Sequence, residues 1–215
     1  MNVLSTQNPT NAPVFIWGLD MSHGETAESL FEEVKSLTDK DFSLVVFDVT
    51  DWNAQFSPWP ASAVFGKDSF SGKGNDTLCF LEDELLPEIK SKFQGSETFL
   101  TGYSLAGLFS LWALYKSDKF NGAVSCSSSL WFDKWDEYVS THRIKASSKI
   151  YMSLGDREEK TKNKVMATVG DRTRRQAEIL KDDPNVEKLF FEWNEGGHFV
   201  EPLKRVAKGI TRILG

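Results

Sequence analysis

The sequence predicts one α/β domain, a mainly parallel sheet of about six strands with helices on both faces. Three observations carry this. Short apolar runs alternate with helix-like stretches from end to end. Those runs are continuous rather than alternating, as strands covered on both faces require. No linker and no internal repeat interrupts the 215 residues, and α/β folds of that length are routinely single domains. The domain is therefore expected to span residues 1–215.

Each element has its own signal. Residues 13–17 are an apolar run ending at Gly18, a buried strand and turn. Residues 26–37 put Leu30, Phe31, Val34 and Leu37 on one helical face, with Glu28, Glu32, Glu33 and Lys35 mostly outward. A second central strand follows at 42–47. Residues 48–74 show no periodicity but carry Trp52, Phe56, Trp59, Phe65 and Phe70, broken by Pro58 and Pro60. So long a loop is either a pocket wall or a lid on the core. Residues 77–93 return to helix, with a kink expected at Pro87. The run at 98–101 is the next strand, and 105–115 is a helix apolar on nearly every side, as a buried helix should be. Strands are expected at 122–127, 149–154 and 188–193. The polar helix at 163–181 presents Arg172, Arg174 and Arg175 as a solvated charged face. A closing helix at 200–214 turns Leu203, Val206, Ile210 and Leu214 inward.

Composition narrows the partners. The formal charge is −6 with both signs interspersed, which argues against nucleic acid or an anionic membrane. Residues 1–12 are polar, without the basic and apolar regions of a secretory signal. No apolar run reaches membrane-spanning length, and a cytoplasmic location is expected. Cys79 and Cys126 match neither a disulfide framework nor a metal-ligand spacing and are expected to be buried, reduced thiols. With 16 Phe and 7 Trp, aromatic side chains suffice to line a pocket as well as a core.

The chemistry centres on Gly102-Tyr103-Ser104-Leu105-Ala106-Gly107, a serine between a strand and a helix with small neighbours. This is the context of the G-x-S-x-G turn, where strand and helix pack closely around a strained serine, although Ala106 stands in place of the second glycine. In open parallel sheets the residues just after strands share one rim, and Ser104, Asp156 and His198 all fall there in the order Ser, Asp, His. A serine hydroxyl needs a neighbouring base, and a neutral imidazole is the base available near neutral pH. His198 takes that role and Asp156 orients it. Asp133 and Asp136, after the preceding strand, are the alternative acids. The oxyanion donors are the Leu105 amide, at a helix start, and an amide around Gly18, Leu19 or Asp20, with Leu19 favoured. Trp52, Trp59 and Trp131 are the candidate pocket walls. His23, in the first loop, either touches substrate or belongs to a plain turn, and His142 reads as surface.

Taken together, Gly102-Tyr103-Ser104-Leu105-Ala106-Gly107-Leu108-Phe109, Ser127-Ser128-Ser129-Leu130-Trp131-Phe132, Leu154-Gly155-Asp156 and Gly196-Gly197-His198 resemble the Putative-esterase family of the α/β-hydrolase superfamily, the group with esterase D and the siderophore (enterobactin-type) esterases. The loops Trp52-Asn53 and Ser57-Pro58-Trp59-Pro60-Ala61 resemble active-site walls of its small bacterial members. The resemblance covers residues 13–214. It implies hydrolysis of a small-molecule carboxylic ester through an acyl-enzyme, with no metal or organic cofactor. It also implies an α/β-hydrolase fold reduced at the N-terminus by two strands and lacking a cap domain. Acyl transfer or thioester cleavage by the same three residues, or a hydrolase fold kept as a binding module, are the other readings. The sequence leaves the oligomeric state open.

Overall fold

The structure, a computed structural model, describes residues 2–7, 9–20, 26–64 and 66–215; His23 and Phe65 lie outside them. The chain runs through β1 (Asn2–Ser5), β2 (Val14–Leu19), α1 (Ala27–Leu37), β3 (Ser43–Asp48), α2 (Trp52–Phe56), β4 (Pro60–Ala61), β5 (Phe70–Ser71) and α3 (Gly74–Phe80). A π turn (Leu81–Leu85) joins α3 to α4 (Leu86–Lys92). Then come β6 (Thr98–Tyr103), α5 (Leu105–Lys116), β7 (Gly122–Cys126), α6 (Trp135–Thr141), β8 (Ser148–Gly155), α7 (Val169–Lys181), β9 (Val186–Asn194) and α8 (Pro202–Leu214).

Among the described residues, seven strands form the main sheet in the order β1-β3-β2-β6-β7-β8-β9. All neighbours are parallel except β1, which runs antiparallel to β3. The sheet thus has one strand more than expected and does not begin at the 13–17 run. β1 escaped notice because an edge strand, half exposed and only four residues long, needs no apolar run.

Alternate residues of the central strands feed two cores. Phe15, Trp17, Leu44, Val46 and Phe99 pack under α1 and α8, while Val14, Ile16, Val45 and Leu100 pack under α3 to α7. Helix α5 is buried along almost its whole length, which explains its lack of a polar face. The continuous apolar runs are therefore strands with helices on both sides.

Three local expectations change. The loop at 48–74 contains α2 and the β4–β5 hairpin. Asp51 caps α2 by accepting from the Ala54 amide at 2.9 Å, but five residues are too few to display a helical period. The break near Pro87 is the π turn just before it, where the Leu86 amide reaches back to the Leu81 carbonyl. Proline offers no N–H to the ladder, and the extra residue in the turn absorbs that loss. Cys79 is exposed; only Cys126 is buried, and burial pushes its thiol up to about 12.

What places the site is the reversal of strand order. From β2 the chain steps outward to β3, then returns to β6 on the other flank of β2. The C-terminal ends of β2 and β6 thus diverge around a crevice, the position where such sheets take ligands.

Candidate functional site

Ser104 stands at the end of β6 with φ 57° and ψ −120°, a backbone conformation unusual for a residue with a side chain. Its surroundings maintain it. The Ser104 amide donates to the Cys126 carbonyl at 3.0 Å, and its carbonyl accepts from the amides of Ser129 and Leu108 at 3.0 and 3.1 Å. A Cβ on Gly102 would sit 2.2 Å from the Ala106 carbonyl oxygen, and one on Gly107 would sit 2.3 Å from Ser128 Oγ. The close approach therefore needs glycine at 102 and 107, and alanine is tolerated at 106.

His198 lies in the turn between β9 and α8. Its Nε2 is 3.0 Å from Ser104 Oγ, as the strand-end argument requires. The carboxylate on its other nitrogen, however, belongs to Glu158: His198 Nδ1 and Glu158 Oε2 are 2.7 Å apart. Asp156 is exposed, and its Oδ1 accepts from the Gly196 amide at 2.8 Å. It fastens the end of β8 to the turn after β9 and does not reach the imidazole. Asp133 and Asp136 are elsewhere too, the first accepting from Trp59 Nε1 at its carbonyl and the second pairing with Arg172 at 3.3 Å.

Glu158 is held from four directions. Its Oε1 accepts from Ser127 Oγ at 2.7 Å, the Gly155 amide at 2.8 Å and Arg205 Nη1 at 2.8 Å, leaving Oε2 for His198. Burial alone raises the carboxyl's pKa. The bonds and charge of His198, with Ser127 and the Gly155 amide, more than offset this and hold it below the usual carboxylate range. Arg205 is itself 3% exposed. Its Nη2 donates to the carbonyls of Glu195 and Gly197 at 3.0 Å each, so one guanidinium clamps the His198 turn and neutralises Glu158. Tyr103 completes the frame, donating to the His198 carbonyl.

Sequence reasoning missed Glu158, Arg205 and Ser129. For Glu158 a faint signal existed. Gly155 leaves room for it, since a Cβ there would lie 2.9 Å from both Glu158 Oε1 and Arg205 Nη1. Arg205 gave none, because a buried cation on an apolar helix face is visible only through its partners. Ser129 belongs to the Ser127-Ser128-Ser129 stretch, each member of which has a separate duty. Ser127 bonds Glu158, Ser128 bonds Ser125, and Ser129 Oγ lies 3.3 Å from Ser104 Oγ.

The amides of the site divide in the same way. Leu105 opens α5 beside Ser104. Leu19 pairs with Asp48 of β3, and its carbonyl accepts from the Val49 amide at 2.9 Å. In an extended strand a residue's N–H and C=O point to the same side, so the Leu19 amide faces β3 and not Ser104. The peptide after it is trans, which directs the Asp20 amide the opposite way, toward β6.

Two clefts flank His198. One, of about 480 Å³, is walled by Trp17, Leu19, Trp52, Tyr103 and Phe199 and opens on Ser104. The second, of about 230 Å³, lies on the Glu158 side and is walled by Trp131, Arg157, Met166 and Phe199. Trp52 lines the first cleft and Trp131 the second. Trp59 packs against Phe132, Trp135 and Tyr138, with 5.3 to 6.5 Å between ring centres. The arginines of α7 are not merely solvated. Arg172 Nη1 donates to the carbonyls of Leu130 and Phe132, holding the turn that carries Trp131, and Arg174 pairs with Glu159.

Among the described residues no group of three or more His, Cys, Asp or Glu is placed to hold a metal ion, and no helix is long and apolar enough to cross a membrane. Curated proteins offer no match to the sequence. Solved structures do. The siderophore hydrolase EstA of Aspergillus nidulans is 15% identical with a TM-score of 0.76, over 97% of this chain and 84% of that one. An IroE-like serine hydrolase from Shewanella oneidensis is 18% identical with a TM-score of 0.76, over 99% and 74%. The enterobactin hydrolase IroE in complex with DFP is 18% identical with a TM-score of 0.66, over 96% and 84%. The family described as "Putative esterase" matches residues 7–202, nearly the whole α/β domain. The chain belongs to that esterase family and shares the fold of these solved hydrolases.

Proposed function

We propose that Ser104, His198 and Glu158 act as a catalytic triad that hydrolyses carboxylic esters through an acyl-enzyme. The observation that carries the reading is the unbroken chain of contacts from Ser104 Oγ to His198 Nε2 at 3.0 Å and from His198 Nδ1 to Glu158 at 2.7 Å. His198 accepts the Ser104 proton as the oxygen attacks the acyl carbon. The tetrahedral intermediate's oxyanion is met by the Leu105 amide, at the positive end of α5, and by the Asp20 amide in place of Leu19. The intermediate collapses, His198 protonates the departing alcohol, and water repeats the sequence to release the acid. Glu158 fixes the imidazole tautomer and stabilises the imidazolium. It remains ionised throughout, since Arg205 and three further donors hold it so.

Trp52, with Trp17 and Leu19, supplies an apolar wall to the Ser104 cleft, suited to a small or medium apolar acyl or alcohol group. Two of the solved structures similar to this chain are hydrolases of a siderophore and of enterobactin, so siderophore esters belong in the substrate series. The test is labelling by a fluorophosphonate, with turnover of nitrophenyl esters of increasing acyl length. Wild type should react in both assays, and Ser104→Ala should lose labelling and about 10⁴-fold or more of kcat. Wild-type turnover in that variant would dismiss the mechanism. Added alcohol or amine acceptors separate hydrolysis from acyl transfer by their products.

A further inference from the structure

The second cleft has no part in the bond-breaking steps, yet it shares His198 and Phe199 with the first. At about 230 Å³ it is small for a whole ligand and fits a portion of one. Its charge is unusual for this protein. Acidic residues outnumber basic ones by 31 to 25, but the segment at the mouth of the cleft brings in Arg157 and Lys160. The two carboxylates between them are already engaged. Glu158 is bonded to Arg205 and His198, and Glu159 pairs with Arg174 at 3.1 Å. Among the described residues no carboxylate pairs with Arg157 or Lys160. The other walls are apolar: Trp131 and Val169 buried, Met166 half-buried, and Phe199 with 90% of its surface exposed directly beside the imidazole.

We infer that this cleft is a second substrate subsite, which takes the part of the ester that ends in a carboxylate and lays its apolar stem against Trp131, Met166 and Phe199. The inference rests on the esterase reading of Ser104 and deepens it. The planar fork of Arg157 matches a carboxylate, and Lys160 adds a second positive charge. Phe199, shared by both clefts, is the residue over which the substrate passes from the Ser104 side to the Arg157 side.

The experiment measures binding to Ser104→Ala by calorimetry, so that it does not depend on turnover. Two matched pairs of esters place the charge on either side of the bond. The nitrophenyl monoester of hexanedioic acid is compared with that of hexanoic acid, and the butanoyl ester of hydroxyphenylpropanoate with that of propylphenol. In at least one pair the carboxylate form should bind about tenfold tighter at low salt, as expected for two half-screened cations, and the preference should shrink with added salt. Adding Arg157→Gln and Lys160→Gln should bring the ratio close to one. Equal binding within both pairs, or a preference that survives the two substitutions, overturns the subsite. Turnover of the neutral esters by the wild type tests the triad separately. A binding preference without turnover would therefore fault the triad and leave the subsite standing.

Discussion

The turn at residues 102–107 and the turn at 155–158 both leave the same edge of the sheet and both carry a group of the proposed triad, yet they are built differently. The first is marked by its own sequence: Gly102 and Gly107 admit the close packing, and the Ser104 peptide groups bond Leu108 in the helix that follows and Cys126 and Ser129 at and after the end of the neighbouring strand. The second offers two carboxylates two residues apart, and partners distant in the chain decide between them. Asp156 meets the Gly196 amide, while Glu158 meets Ser127, His198 and Arg205. Short-range chemistry specifies where a nucleophile can be, whereas the orienting acid is chosen by what the fold brings to it.

The largest effect that would break this comparison is on rate. Glu158→Gln should lower kcat by about 10³- to 10⁴-fold, because the imidazolium loses its charge partner and the tautomer its anchor. Asp156→Asn should cost less than about tenfold. Steady-state kinetics on both variants decides the matter, and the reverse ranking would return the orienting role to Asp156.

Next in size is Arg205→Met. It leaves Glu158 buried with its other bonds but without its cation, a situation that costs about 3–5 kcal/mol, and urea unfolding should read that loss. A change under about 1 kcal/mol would mean that the carboxylate does not depend on the guanidinium.

A smaller effect appears with pH. The Glu158 carboxyl lies below its ordinary value of 4.5 in the folded protein, so the unfolded chain binds the proton more readily. The associated stability is fully present above about pH 4.5 and is lost as pH falls through the folded value. Unfolding free energy measured downward from pH 4.5 should fall more steeply in wild type than in Glu158→Gln. Parallel curves would deny that this carboxyl is depressed.

The smallest expected effect sharpens the assignment of the tryptophans. Trp59→Phe removes one bond to the Asp133 carbonyl and should cost about 1 kcal/mol of stability, with kcat/KM within about twofold of wild type. Trp52→Ala should raise KM for apolar esters about fivefold through lost burial. If the two variants behave alike in kinetics, Trp59 also meets substrate.

The elements legible in the sequence share a physical reason. A strand buried on both faces must be apolar throughout, and a helix buried all round must be too, so β2, β3, β6 and α5 declare themselves. β1 and α2 do not, being too short and too exposed for a pattern. Ser104 and His198 stand out in the sequence because the rim of a parallel sheet lies where strands end, and each follows one closely.

By itself, then, the sequence determined the α/β class and the family resemblance and placed Ser104 and His198 at strand ends, because backbone crowding and strand order leave marks within a few residues. Only the tertiary structure decided that Glu158 and not Asp156 meets the imidazole, that Asp20 and not Leu19 turns its amide toward β6, and that Trp59 stacks among Phe132, Trp135 and Tyr138. Each of those choices depends on a direction in space, set by residues as far away as Arg205, and the identities of adjacent residues carry no direction.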